Sequence, residues 1–173
     1  MSTVINIPRF AAKNLSIKPK NCIWISISEP KDLSTVISNN SLDELPKLHL
    51  SFWDLTQVIE HDGEMLYPPS PTVAKAIVDF LLSHRGKNVI VNCAAGVSRS
   101  GAVAQFCADF LGYGWMEEGK RCACPNPVLY GLMRDYYLSL EYGKQHGPTP
   151  LLTAYEKSIK SLTDPHFKDT LIS

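Results

Sequence analysis

Five residues separate Cys93 from Arg99 in the run Val89-Ile90-Val91-Asn92-Cys93-Ala94-Ala95-Gly96-Val97-Ser98-Arg99-Ser100-Gly101. The run begins as an unbroken apolar strand, passes through small residues, and ends where a helical pattern starts. A loop that feeds a helix N-terminus turns successive backbone N–H groups inward and makes a cradle for an anion. Ala94, Ala95 and Gly96 carry little or no side chain, so the backbone can curl closely around an oxyanion, and Gly96 can adopt a positive φ. Arg99 adds a planar fork that matches two oxygens of a phosphate. A thiol at the floor of this cradle lies under the same positive partial charges, which favour the thiolate, the nucleophilic form. One set of dipoles therefore serves both a phosphate and a sulfur nucleophile.

The spacing of cysteine and arginine is weak evidence in a chain with five cysteines. Requiring glycine at the third intervening position, a hydroxyl residue after the arginine, a strand before and a helix after makes it specific. The plainer alternative is a half-buried cysteine in a strand-to-helix turn with a surface arginine.

The elements that must hold this loop are legible on either side of it. Strands are expected at Cys22–Ile27, at Leu48–Phe52 and at Val89–Val91, the last covered on both faces. Val4–Ile7 reads as an edge strand ended by Pro8. Helices are expected to start at Ser70-Pro71, near Ser100, at Asn126-Pro127 and at Thr149-Pro150, each with apolar positions at helical spacing. Gly112 and Gly114 end the second. Strands alternating with helices predict an α/β domain: a central, mostly parallel sheet of four to five strands with helices on both faces. Residues 1–162 are read as a single domain and residues 163–173 as a C-terminal tail.

Composition narrows the function classes. The chain has 173 residues, 45% of them hydrophobic, and seventeen basic residues balance seventeen acidic ones. That neutrality removes the electrostatic footprint of a nucleic-acid binder, so no nucleic-acid partner is expected. No apolar run approaches bilayer length and the N-terminal segment lacks the pattern of a signal peptide, so neither membrane insertion nor secretion is expected. An odd number of cysteines fits a reducing, cytoplasmic setting better than a disulfide framework. Oligomeric state is not legible.

At Cys93, Gly96, Arg99 and Ser100 the sequence resembles the protein tyrosine phosphatase superfamily, in its compact dual-specificity form, over roughly residues 20–140. The family signature is His-Cys-x5-Arg-Ser/Thr, and Asn92 stands in place of its histidine. The resemblance implies that Cys93 attacks phosphorus and forms a phosphocysteine. It implies that Arg99 and the backbone N–H groups of Ala94, Ala95, Gly96, Val97, Ser98 and Arg99 hold the phosphoryl oxygens, and that Ser100 hydrogen-bonds the cysteine sulfur. Neither a metal nor another cofactor is implied. The family also uses one upstream aspartate as general acid and base. Asp54, at the mouth of the strand Leu48–Phe52, is the first candidate, because parallel strands gather their C-terminal ends on one edge. Asp62, in the turn-like His61-Asp62-Gly63-Glu64, is the second. The loop carries no cation but Arg99, unlike relatives that take polyanionic phosphoinositides. A phosphomonoester of modest charge is therefore expected, such as phosphotyrosine, phosphoserine or phosphothreonine on a protein.

Two other functions stay open: a phosphate-binding module with weak turnover, and another anion-loop cysteine enzyme such as a sulfur transferase or arsenate reductase. Other residues have plainer readings. Cys122-Ala123-Cys124 lacks the partners of a zinc site. Cys22 and Cys107 read as core, with a resolving partner for Cys93 as the sharper alternative. Asn126 reads as a helix cap, and Trp53 and Tyr67 either as pocket wall or as core.

Overall fold

Among the described residues, five parallel strands form the central sheet, in the order β3-β2-β6-β1-β7. The computed structural model describes residues 1–15, 20–30, 40–116 and 124–146. In chain order the elements are β1 (Thr3–Pro8), α1 (Arg9–Lys13), β2 (Cys22–Ser28), α2 (Asn40–Asp43), β3 (Lys47–Ser51), β4 (Ile59–His61), β5 (Glu64–Leu66), α3 (Pro71–Ser83), β6 (Asn88–Cys93), α4 (Arg99–Leu111), β7 (Gly114–Trp115) and α5 (Pro127–His146). The expected α/β class holds, and all five strands of the main sheet run the same way.

The two faces of the sheet follow from alternation along its strands. Ile23, Ile25 and Ile27 of β2 and Val89, Val91 and Cys93 of β6 point to one face, where α3, α4 and α5 bring Ile77, Leu81, Val103, Phe106, Leu129 and Met133 into a single apolar cluster. Cys22, Trp24 and Ile90 point to the other, against Ala12 of α1 and Leu42 of α2. β6 is the middle strand and is apolar on both sides, as its sequence predicts. The three long helices begin where the sequence places their starts, and α4 ends at Gly112 as expected, while Gly114 belongs to β7. Ser70 Oγ accepts from Val73 N–H at 3.4 Å with Pro71 in the first turn of α3, and Gly112 closes α4 at φ 73°.

The structure corrects one strand. β1 is not an edge: the two-residue β7 pairs with Thr3 and Val4, while β6 lies on the other side of β1. A pairing that short leaves no strand-length pattern to read at Gly114-Trp115. The antiparallel hairpin of β4 and β5 lies outside the strands expected from sequence, although its turn, Asp62 at φ 52° and Gly63 at φ 75°, is the chemistry expected of Asp-Gly. The helix expected at Thr149-Pro150, the tail at residues 163–173 and Cys122 lie outside the described residues. No helix among the described residues is long and apolar enough to cross a membrane.

Candidate active site

Parallel pairing brings the C-terminal ends of β1, β2, β3 and β6 to one edge. Pro8 lies beside Cys93, and Ser28 beside Ser51. The segments that follow these strands (Arg9, Glu29, Phe52 to Asp54, and Ala94 to Ser98) therefore surround one point, although they are far apart in sequence.

The loop from Cys93 to Arg99 is anchored on β1. Asn6 Nδ2 donates to Gly96 O at 2.7 Å and Arg9 N–H to Ala94 O at 3.2 Å. Gly96 has φ 71°, and a Cβ there would run into the Pro8 nitrogen and come within 2.5 Å of the Ile7 carbonyl carbon. These are backbone atoms that cannot step aside, so glycine is required twice over, by conformation and by space. Ala94, Ala95 and Val97 are exposed on the rim, whereas Cys93, Arg99 and Ser100 are buried.

Cys93 faces the interior of the loop. Burial pushes its thiol up, but the Ser100 hydroxyl and the backbone N–H groups of Ser100, Val97 and Gly96 outweigh burial, and the net shift is downward. The Sγ–Oγ distance to Ser100 is 3.2 Å. The N-terminus of α4 strengthens the effect. Ser98 occupies the cap position without making a side-chain capping bond, unlike the residues that cap α3 and α5, so the first-turn N–H groups of α4 are not consumed by its own cap.

Arg99 is almost wholly buried and is fixed from behind. Its Nη1 donates to Ser28 O at 3.1 Å and Phe52 O at 3.0 Å, and its Nη2 to Glu29 Oε1 at 3.2 Å. Its Nε is buried with no hydrogen-bond partner, and a carboxylate oxygen, Asp54 Oδ2, stands 3.8 Å from it. A buried, charged donor without a hydrogen-bond partner is what an anion site requires.

Asp54 is at this edge and Asp62 is not. Asp54 Oδ1 accepts from Ser98 Oγ at 2.7 Å and from Asn126 Nδ2 at 2.8 Å, which ties the acid to the cysteine loop and to the start of α5. Asp62 sits in the hairpin turn, its side chain 90% exposed, with His61 Nδ1 at 3.1 Å. Trp53 is half-buried beside Asp54, and Tyr67 is 62% exposed beyond β5.

Asn92, the departure from the signature, points away from Cys93 to the opposite face of the sheet. There its Oδ1 accepts from the buried indole Nε1 of Trp24 at 2.7 Å, so it serves the core behind the loop. Cys22 is no resolving partner for Cys93. It lies on that opposite face and pairs with Asn88 at the far end of β6, roughly 16 Å along the strand from Cys93. Cys107 shares the apolar cluster with Cys93 and is fully buried, which pushes its thiol up. Among the described residues, no group of three or more His, Cys, Asp or Glu side chains is placed to hold a metal ion.

Three residues at this edge carry no site signal in the sequence or only a plainer one. Asn6 and Glu29 reach the loop through the sheet, and Asn126 reads fully as a cap from sequence.

No family model matches the chain, and no curated protein matches it. Two solved structures match the chain. One is Tk-PTP in the active form, 15% identical, with 92% of this chain and 90% of that chain covered at a TM-score of 0.40. The other is PTPMT1 in complex with PI(5)P, 17% identical, with 92% and 93% covered and the same TM-score of 0.40. At that level of similarity the chemistry rests on the residues themselves.

Proposed function

We propose that the protein is a cysteine-dependent phosphatase, one domain spanning residues 1–162, that hydrolyses phosphomonoesters, phosphotyrosine and also phosphoserine or phosphothreonine on proteins. The observation that carries this reading is the pairing of a thiol favoured as thiolate with a buried arginine whose Nε is open, both at the N-terminus of a helix not capped by its own Ser98. The guanidinium and the helix N-terminus both favour negative charge there, on the sulfur and on a bound phosphate alike.

In this reading the Cys93 thiolate attacks phosphorus. The sulfur–phosphorus bond forms as the bond to the leaving oxygen breaks, and that oxygen takes the electron pair and a proton from Asp54. Arg99 and the N–H groups of residues 94–99 hold the three remaining oxygens while charge redistributes. Water, deprotonated by Asp54, then cleaves the phosphocysteine, and the Ser100 hydroxyl stabilises the departing sulfur. The absence of a second cation among Ala94, Ala95, Val97 and Ser98 supports a substrate with a single phosphate.

Release of phosphate from p-nitrophenyl phosphate tests the assignment. Cys93→Ser is expected to abolish it, and Asp54→Ala to slow it by about 10²-fold or more. Asp62→Ala is expected to leave the rate unchanged. Full activity in Cys93→Ser would defeat the proposal, and a collapse in Asp62→Ala with Asp54→Ala unaffected would transfer the acid role to Asp62.

A further inference from the structure

We infer that Asn126 is the positioning residue for the acid: its side-chain amide fixes which oxygen of Asp54 carries the proton. The inference rests on the phosphatase reading above and adds a residue that reading does not use.

Asn126 is buried and every polar atom it has is engaged. Its Oδ1 accepts from Val128 N–H at 3.1 Å and Leu129 N–H at 3.0 Å, capping α5. An oxygen receiving two backbone donors settles the orientation of the amide, so the other end must be the NH2 group. That NH2 donates to Asp54 Oδ1 at 2.8 Å and to Leu55 O at 3.3 Å, and the Asn126 backbone N–H donates to Ser98 O at 3.0 Å. One residue, through its side chain and its backbone N–H, thus joins the start of α5, the acid and the cysteine loop.

The consequence is atomic. Ser98 Oγ and Asn126 Nδ2 both donate to Oδ1. With Oδ1 committed as a double acceptor, a proton on Asp54 belongs on Oδ2, the oxygen 3.8 Å from Arg99 Nε. Oδ2 is therefore the oxygen turned toward the position where Arg99 would hold a phosphoryl group, and the proton leaves from it to the departing oxygen. Without Asn126 only the rotatable Ser98 hydroxyl still marks Oδ1, so the carboxyl is held less firmly and the proton is presented from Oδ2 for a smaller share of the time.

Capping and positioning are separable. Serine caps helices nearly as well as asparagine but cannot reach out with an NH2 group, and aspartate caps while replacing the donor by a carboxylate. The test compares kcat and KM for p-nitrophenyl phosphate and phenyl phosphate in wild type, Asp54→Ala, Asn126→Ser and Asn126→Asp, with thermal melting of each. Phenoxide is the poorer leaving group and depends more on the acid. Asp54→Ala is expected to slow phenyl phosphate far more than p-nitrophenyl phosphate. Asn126→Ser is expected to show the same selectivity at smaller size, about 10-fold in kcat for phenyl phosphate with little change in KM. Asn126→Asp is expected to exceed it, with melting of both within a few degrees of wild type. If Asp54→Ala shows the selective loss while the folded Asn126 variants slow both esters equally or not at all, Asn126 is a cap only and the inference fails. If Asp54→Ala itself shows no selective loss, Asp54 is not the acid and the reading beneath the inference fails with it. If Asn126→Ser does not fold, Asn126→Asp, which keeps an acceptor for Val128 and Leu129, decides the question alone.

Discussion

Burial alone would hold the Cys93 thiol protonated, and the loop reverses that with a hydroxyl and three backbone N–H groups. The reactive form should therefore persist to lower pH than for an ordinary thiol. It should be fully present above the lowered pKa and fade as pH falls through it. Removing the Ser100 hydroxyl takes away one of the groups that lower the pKa, so the transition should move to higher pH. Iodoacetamide alkylation of Cys93 followed by mass measurement across pH checks both statements. A transition in the wild type at or above the ordinary thiol value, or one unmoved in Ser100→Ala, would contradict them. Cys107 should stay unreacted while the protein is folded, since burial pushes its thiol up instead.

At the scale of the elements, the loop keeps its shape because β1 lies directly behind it. Gly96 is packed on the backbone of Ile7 and Pro8 with a positive φ, and Asn6 holds its carbonyl. Gly96→Ala must displace the loop or the end of β1. It is expected to cost about 2–4 kcal/mol of stability and to remove phosphate release from the molecules that remain folded. Denaturant unfolding and turnover measured on the same preparation test this; an alanine variant of wild-type stability and rate would show that the close approach is not required. The same contact explains what could and could not be read from the chain. The run from Val89 to Gly101 carries its own strand, turn and helix signals, because every residue that shapes it is local. Asn6 and Glu29 meet the site only because parallel pairing returns the ends of β1 and β2 to one edge, and Asn126 only because α5 packs beside α4 with its start against Ser98; both depend on the tertiary arrangement. Strand order escaped the sequence at β1, where the pairing that makes it an interior strand comes from two residues, Gly114 and Trp115. Asp54 could be singled out from sequence because the resemblance implies an upstream aspartate and Asp54 falls just past the end of a strand, where parallel strands gather their C-terminal ends on one edge.

For the molecule as a whole, the sheet separates two duties. One face carries Cys93 and packs on α3, α4 and α5; the other carries Asn92, whose oxygen serves the Trp24 indole. Stability and chemistry can therefore be perturbed apart. Trp24→Phe leaves the Asn92 oxygen without its buried donor and is expected to cost about 1–3 kcal/mol, with turnover per folded molecule largely retained. Melting temperature and active-site titration together check this. A loss of turnover in folded Trp24→Phe would mean that the back of the sheet controls the loop, and that the asparagine before the nucleophile has a catalytic consequence.

The central claim is that phosphate passes through the sulfur of Cys93. The most direct measurement is acid quenching of Ser100→Ala during turnover of p-nitrophenyl phosphate, with the phosphoryl group located by peptide mass mapping. Because the Ser100 hydroxyl is assigned to the departure of sulfur, its removal should make the intermediate accumulate. The expected result is a burst of nitrophenolate near one equivalent per enzyme, with a phosphoryl adduct on the peptide bearing Cys93. Continued turnover with no burst and no adduct on Cys93, or an adduct on another residue, would contradict it.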